Sequence, residues 1–158
     1  MARLIQWGVA VLAVAGVAAM GTAMAQDKDS AIKARQDFMK AQSADNKAIN
    51  DYAKGMGDKA AAEKAAKDLI ARADKIDGLF NTPGTSSTDM PGKTNAKAAI
   101  WSDRANFAKI PVTLKSYEEK TLAAIQTGTP EQVGEAAAAQ GKNGCGACHG
   151  TYREPMQH

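Results

Sequence analysis

The sequence is poor in the residues that usually build a thick apolar core or a metal cage. Aromatic residues make up 5% of the 158 positions, and there are only two cysteines and two histidines. So few ligands give little support for a structural zinc site, which normally takes four. A core made mainly of alanine would be thin, and a large apolar cofactor could supply the missing buried surface. An alanine-rich helical protein with a modest core has the same composition, so composition permits a cofactor without requiring one.

The sequence also lacks a strong charge of either sign. Twenty basic residues against 17 acidic ones give a formal net charge of +3, which offers no reason to expect nucleic acid as a partner. No segment alternates apolar and polar residues with period two, so no β-strand is predicted. The sequence therefore favours a helical protein that binds no nucleic acid.

The first 25 residues are predicted to be a secretory signal peptide. Arg3 precedes an uncharged apolar run that ends in Ala23-Met24-Ala25. A basic start, an apolar run and an A-x-A site are the pattern that signal peptidases cleave. Cleavage there would leave residues 26–158 as a single exported domain, which we expect in the periplasm without stable membrane insertion. An uncleaved membrane anchor is the alternative, because the apolar run approaches spanning length.

Four segments have the apolar spacing of amphipathic helices, which predicts an all-α, antiparallel four-helix bundle. The segments cover about residues 28–54, 59–77 and 96–126, and a fourth begins after Thr129. Residues 81–95 are dense in turn formers and predict a long loop. Pro111 should kink the third helix or split it in two. Along that helix the predicted apolar stripe consists of Ile100, Phe107, Ile110, Leu114, Tyr117 and Ile125.

The most specific motif is Cys145-Gly146-Ala147-Cys148-His149, the C-x-x-C-H pentapeptide of c-type haem attachment. Residues three and four apart share one face of a helix, so Cys145, Cys148 and His149 should project to the same side. The two thiols could then form thioethers to the haem vinyl groups, while the imidazole reaches the iron as the proximal ligand. We therefore predict one covalent haem c.

Two other interpretations of the cysteines remain. A thioredoxin-like redox pair would need a βαβ pattern beside it, and none is present. A structural disulfide is compatible with export but does not explain the adjacent histidine.

At this point the sequence resembles the class II c-type cytochromes, the family that includes cytochrome c′ and its low-spin relatives. Three blocks carry the resemblance. Residues 145–153, Cys-Gly-Ala-Cys-His-Gly-Thr-Tyr-Arg, resemble the family's haem-binding end; residues 32–40 resemble the block of the first helix; and residues 100–103, Ile-Trp-Ser-Asp, resemble the start of the third. The resemblance implies a four-helix bundle with the haem motif on its last helix.

The resemblance also assigns roles to individual residues. It implies that Cys145 and Cys148 are the thioether sites, that His149 is the proximal ligand and that Met39 on the first helix faces the iron from the other side. A methionine there implies the low-spin, methionine-ligated subtype. Helical spacing alone would make Met39 an ordinary core residue. Arg153, one turn beyond His149, could contact the proximal imidazole or a haem propionate, or could simply be solvated at the helix end.

These features together predict an electron carrier that docks transiently on redox protein partners. The alternative is a five-coordinate protein that binds a diatomic gas such as NO or CO at an open iron position. An enzyme is not expected, because the first helix offers Met39, Gln42, Ser43 and Asn46 near the iron, and no histidine that could act as an acid or base. The family resemblance also allows a homodimer.

Overall fold

The computed structural model describes residues 16–155. Its first helix, α1 (Gly16–Ala53), begins well before the predicted start near residue 28, so that predicted boundary was wrong. The reason is local, since residues 16–26 contain several alanines and methionines and no proline, a composition with high helix propensity. Most of the predicted signal peptide, including Arg3, lies outside the described residues, as do residues 156–158.

Helix α2 (Lys59–Ala73) starts at Asp58, whose carboxylate accepts a hydrogen bond from the backbone N–H of Ala61 at 2.8 Å. This is ordinary N-capping, which satisfies a donor that has no partner within the helix. The helix ends four residues before the predicted Asp77. A 3₁₀ turn, Asp77–Phe80, follows it and leads into the long loop that the sequence predicts.

The predicted third helix is divided into three pieces, and Pro111 accounts for the second of its two breaks; a kink or a split in two was expected. Two single-turn helices, α3 (Ala99–Ser102) and α4 (Arg104–Phe107), precede α5 (Ile110–Thr127). Pro111 lies in the first turn of α5. A proline is accepted there because the backbone N–H it lacks would have no partner inside the helix.

The bundle has four long helical segments, which we call rods: α1, α2, α5 and a last rod. The last rod consists of three consecutive helical pieces. Helix α6 (Pro130–Ala139) opens with a capping box between Thr129 and Gln132, followed by a π-helical segment (Gln140–Cys145) and by α7 (Gly146–Tyr152). At the end of the π-helical segment the N–H of Gly146 donates to the carbonyl of Gly141, five residues back. The haem motif thus begins on the last residue of a π turn.

The four rods pack as a square. Helix α1 contacts α2 and α6, and α5 contacts α2 and both α6 and the π-helical segment. Short links join α1 to α2 and α5 to α6, whereas residues 74–109, with the long loop, connect α2 to α5. Consecutive helices are neighbours in the square, as expected of an antiparallel bundle. Within residues 16–155 there is no β-strand, only an isolated bridge between Ala96 and Arg153. No helix in this range is long and apolar enough to cross a membrane.

The buried apolar residues form two clusters at opposite ends of the bundle. The alanine cluster lies where α1 and α5 end and α2 and α6 begin, and it comprises Ile49, Ala62, Ala65, Ala66, Leu69, Ile125 and Val133. The aromatic cluster lies at the end that carries the haem motif, and it comprises Ile76, Phe80, Ile100, Phe107, Leu114 and Tyr152, with Cys145 and Cys148 packed against it. Phe107 makes edge contacts with the rings of Phe80 and Tyr152, at centroid distances of 5.0 and 5.3 Å.

Candidate cofactor site

Two adjoining cavities open at the aromatic end. The larger has a volume of about 540 Å³ and the smaller about 310 Å³, sizes typical of sites for small molecules and cofactors. Five residues line both cavities: Met39 and Ser43 from α1, and Cys148, His149 and Arg153 from the last rod. The two cavities therefore share one wall from the first helix and one from the haem motif.

The cysteines and the histidine of the motif lie together, as the sequence predicts. Cys148 and His149 line both cavities, and Cys145 lines the smaller. Both thiols are free and partly buried against the aromatic cluster. Two adjacent thiols and an imidazole directed into one cavity form the arrangement that covalent haem requires.

The electrostatic surroundings keep these groups uncharged. Burial, aided by the nearby Glu118, raises the pKa of the Cys145 thiol, and burial beside Cys145 raises the pKa of Cys148 to about 11. Such thiols are protonated at neutral pH, unlike the reactive thiolates of redox enzymes. Burial and the charge of Arg153 lower the pKa of His149, which favours the neutral imidazole that binds metals.

The long loop closes one side of the larger cavity. Its residues 92–96 line the wall, and Gly92 adopts a φ of 73°, which favours glycine. Two backbone hydrogen bonds join this loop to the chain around the motif's end: Lys97 N–H donates to the Tyr152 carbonyl at 2.9 Å, and Glu154 N–H donates to the Asn95 carbonyl at 2.8 Å. The loop is therefore fixed to the segment that holds His149.

Arg35 is a site residue that the sequence analysis missed. It lines the larger cavity, yet only 5% of its surface is exposed. One nitrogen donates to the Thr85 carbonyl at 3.0 Å, while Nε and Nη1 are buried without a hydrogen-bond partner among the described residues. The guanidinium also lies over the rings of Phe80 and Trp101, at 5.0 and 5.7 Å. Leaving buried donors of a cation unpaired is costly, so this arginine points to an anionic group in the cavity.

A signal for Arg35 was present in the sequence. It lies three residues after Ile32 and four before Met39, on the same helical face as both, and a charged residue on an apolar stripe indicates a buried partner. Arg153, for which the sequence left both a haem contact and a solvated position open, lines both cavities, and its Nε is likewise buried with no hydrogen-bond partner within residues 16–155.

Met39 lies where the resemblance placed the distal residue, on the wall of both cavities. Among the other methionines beyond residue 25, Met56 is 68% exposed and Met90 lines neither cavity. Met156 lies outside the described residues. Neither Met56 nor Met90 is placed as Met39 is.

The arrangement fits haem c on the evidence of its own residues. A thiol pair and a neutral imidazole lie at one wall, and the cavities have the volume of a cofactor site. The unpaired donors of Arg35 and Arg153 are suited to the two propionate carboxylates of a haem. In the described part of the chain, no group of three or more His, Cys, Asp or Glu side chains could hold a bare metal ion.

Comparison with known proteins gives consistent results. The family model described as Cytochrome C' matches residues 30–153. A protein named cytochrome c' from Cereibacter sphaeroides is 32% identical over 147 residues, covering 90% of this chain and 95% of that protein. Another, from Pararhodospirillum photometricum, is 31% identical and covers 78% and 95% of the two chains. Among solved structures, cytochrome c' from Rhodobacter Spheriodes superposes with a TM-score of 0.72 at 27% identity, covering 82% of this chain and 98% of that one.

Proposed function

The chain belongs to the cytochrome c′ family, its cofactor is haem c, and we propose that it is a periplasmic carrier of single electrons. When bound, the haem iron alternates between the ferric and ferrous states, which is the chemistry that electron carriage uses. The chain's own residues would attach the haem and fix its orientation. The proposal assigns no catalytic step to the protein.

In this proposal Cys145 and Cys148 form the thioethers and His149 is the proximal ligand. The neutral state of His149 supports this role, because the lone pair of an unprotonated ring nitrogen must be free to bind iron. Arg35 and Arg153 would hold the propionates through the donors that are otherwise unpaired. The two arginines would thus hold the carboxylate side of the haem, and the two cysteines its vinyl side.

The position of Met39 is the observation that favours electron transfer over gas binding. Met39 lines both cavities, as His149 does, but comes from α1, the neighbouring helix, so a haem held by the motif would have both side chains on the walls around it. A thioether ligand would fill the sixth position, giving low-spin iron with a raised reduction potential. This His149/Met39 pair is the subtype that the sequence resemblance implied.

Replacing Met39 tests the proposal. The Met39→Ala protein should change from a low-spin to a high-spin spectrum and bind carbon monoxide readily, because the sixth position becomes open. Absorption spectra of the ferric and ferrous forms, with and without carbon monoxide, measure both effects. Met56→Ala, which removes an exposed methionine, is the matched control and should leave the spectrum unchanged. A wild-type protein that is already high-spin would exclude Met39 as the ligand.

Binding of small ligands is the second candidate function, and one comparison favours it. A solved variant of ferric cytochrome c prime from Alcaligenes xylosoxidans, 25% identical to this chain with a TM-score of 0.67, is complexed with nitrite. If Met39 does not ligate the iron, this chain would present an open sixth position to such ligands or to NO and CO. The spectra of the wild-type protein separate the two functions.

Export and partners complete the proposal. We expect the mature protein to begin at Gln26 in the periplasmic fraction, which N-terminal sequencing would test; retention of residues 1–25 in the membrane fraction would indicate an anchor instead. We expect contacts with redox proteins to be small and transient. A homodimer remains an expectation, and sedimentation of the holoprotein at several concentrations would test it.

A further inference from the structure

A polar layer lies between the two apolar clusters of the bundle. It is formed by Asn46 of α1, Glu118 of α5 and Gln140 at the start of the π-helical segment. On α5, for example, Glu118 lies between Leu114 of the aromatic cluster and Ile125 of the alanine cluster. Glu118 and Gln140 are each only 1% exposed. Polar side chains at this depth are costly unless they are hydrogen-bonded, so the layer requires an explanation.

Glu118 and Gln140 lie at the same level of the bundle. A Cβ at Gly144 would lie 2.8 Å from Leu114 Cδ1, so these two residues mark a close contact between α5 and the antiparallel last rod. Glu118 is one turn further along α5, and Gln140 is about one turn back along the last rod. Because the two rods are antiparallel, both steps lead in the same direction, and both side chains are buried there.

The hydrogen bonds of this layer lack one donor. Asn46 Nδ2 donates to the backbone carbonyl of Gln42, and Asn46 Oδ1 accepts from Gln140 Nε2, each at 2.9 Å. Gln140 Oε1 and both carboxylate oxygens of Glu118 are buried acceptors that have no donor among the described residues. A protonated Glu118 would supply the missing O–H, whereas an ionised one would leave only acceptors. The layer is therefore suited to hold Glu118 with a proton.

The polar layer also borders the space proposed for the haem. Asn46 lines the smaller cavity, and so do Leu114 and Gly144. The charge of Glu118 acts on Cys145, one of the proposed attachment sites, and helps to raise the pKa of that thiol. A carboxylate close enough to affect this thiol should also respond to the charge of a haem attached there.

The neighbouring charged groups do not neutralise Glu118. On α5, Lys115 lowers its pKa and the exposed Glu119 raises it, but Lys115 is bound to the exposed Asp74 at 2.7 Å. On the elements packed against α5, Arg72 is bound to Asp45, and Glu131, Glu135 and Lys142 are exposed. Within residues 16–155 no cation is therefore bonded to the Glu118 carboxylate.

We propose that Glu118 takes up a proton when the haem iron is reduced and releases it when the iron is oxidised, so that electron transfer by this protein is coupled to transfer of a proton. The inference rests on the proposed haem site and on electron carriage, but not on Met39 being a ligand. The electron comes from a redox protein partner and the proton from solvent. The carboxylate becomes a carboxylic acid, whose new O–H donates to Gln140 Oε1.

The coupling has an electrostatic origin. Reduction makes the haem one unit more negative, which disfavours a nearby carboxylate and favours the neutral acid. At an effective dielectric constant of about 20, a unit charge about 10 Å away changes the proton affinity of a carboxyl on the order of tenfold. Burial raises the pKa of Glu118 to about 7, so a change of this size alters its protonation at neutral pH.

The pH dependence of the reduction potential tests the proposal. The midpoint potential of the wild-type holoprotein should fall as the pH rises through about 7, because reduction is accompanied by proton uptake. Glu118→Gln has the shape of the neutral acid and should lack this step, with a potential above that of the wild type at high pH. Glu119→Gln changes the same charge at an exposed neighbour and should keep the step. Propionates and His149 are common to all three proteins, so the difference between them reports Glu118.

A second measurement uses the wild-type protein and does not depend on the folding of a variant. Reduction in weakly buffered solution near pH 7 should take up about half a proton per electron, the value for two proton affinities that differ about tenfold. The infrared difference spectrum should gain a protonated carboxyl band that Glu118→Gln lacks. Absence of proton uptake, or identical potential profiles for the wild type and Glu118→Gln, would overturn the proposal. Failure of the proposed function is distinct, because a protein without haem or a reversible potential gives no profile.

Discussion

The two ends of the bundle are packed differently. At the alanine cluster the helices approach closely over small side chains, and Leu69, Ile125 and Val133 are fully buried. At the aromatic cluster the same four rods enclose two cavities, and polar groups such as Arg35, Gln42 and Glu118 are buried near them. One end is complete by itself, whereas the other is arranged around a group that the chain must acquire.

The difference shows which end of the bundle is destabilised by having to form a cofactor site. Close packing at the alanine end provides stability independent of haem, because buried aliphatic groups gain contacts and lose no hydrogen bonds. The buried polar groups of the other end are unfavourable until ligands satisfy them. The end of the bundle next to the haem is therefore less stable than the alanine end. Three experiments test this difference in stability.

The largest effect should follow from removing both attachment cysteines. The Cys145→Ala/Cys148→Ala protein should show no haem staining on a denaturing gel and should lose cooperative melting at the aromatic end, since the cavities would remain unfilled. Hydrogen exchange should detect protected amides only around the alanine cluster. If the haem-free protein melts cooperatively, with uniform protection at both ends, the aromatic end is a sufficient core by itself.

The next effect concerns Glu118, which is 1% exposed and has no hydrogen-bond partner for either carboxylate oxygen among the described residues. Burial raises the pKa of Glu118 from 4.5 to about 7. The charges of Asp74 and Glu119 also raise this pKa, and the charge of Lys115 partly opposes them. Because the folded state holds this proton more tightly than the unfolded one, the protein is most stable below about pH 4.5 with respect to this group. That stability is lost as the pH rises through 7.

Glu118→Gln should remove this dependence. Relative to the wild type, the variant should gain on the order of 3 kcal/mol in free energy of unfolding at pH 8, by the usual conversion of a pKa shift, and almost nothing at pH 4. Chemical denaturation across this pH range provides the measurement. Glu119→Gln changes the same charge one residue away at an exposed position, and its effect should stay within about 0.5 kcal/mol. Identical pH profiles for the wild type and Glu118→Gln would contradict the assignment.

The smallest change in stability is expected from replacing either of two glycines in the last rod by alanine. A Cβ at Gly144 would lie 2.8 Å from Leu114 Cδ1, whereas a Cβ at Gly134 would have Ala53 Cβ at an ordinary 3.9 Å as its nearest neighbour. Gly144→Ala should therefore destabilise the holoprotein by about 1–3 kcal/mol through overpacking. Gly134→Ala should stabilise it by about 0.5–1 kcal/mol through helix propensity. Thermal unfolding resolves the two signs; equal shifts would mean that Leu114 moves aside without cost.

Local chemistry explains which parts of this architecture were predictable. The helix start at Thr129 and the break at Pro111 depend on residues within one turn, and the sequence predicted both. The same holds for the common side of Cys145, Cys148 and His149. Met39 was assigned through resemblance to a family and not from spacing, and its ligation stays a prediction.

The features that sequence did not reveal depend on contacts between distant segments. Glu118 illustrates this: it is buried, as are Leu114, Thr121 and Ile125 of the same helix, but the predicted stripe included Tyr117 in its place. An acidic residue beside an apolar stripe is normally exposed. Glu118 is buried because α5 packs against α2 and the π-helical segment. The wall formed by residues 92–96 was likewise predicted only as a loop, because turn formers do not specify what a loop covers.

The π-helical segment, finally, makes the winding of the chain before the haem motif important for function. Its wider turn, marked by the hydrogen bond from Gly146 back to Gly141, accommodates one residue more than an α-helix would between α6 and α7. If the same residues were wound as a regular α-helix, every later side chain would be rotated by about 100° relative to α6. Cys148, His149 and Arg153 would then leave the cavity wall together. A change that removes the π turn without shortening the chain would therefore displace the whole site at once.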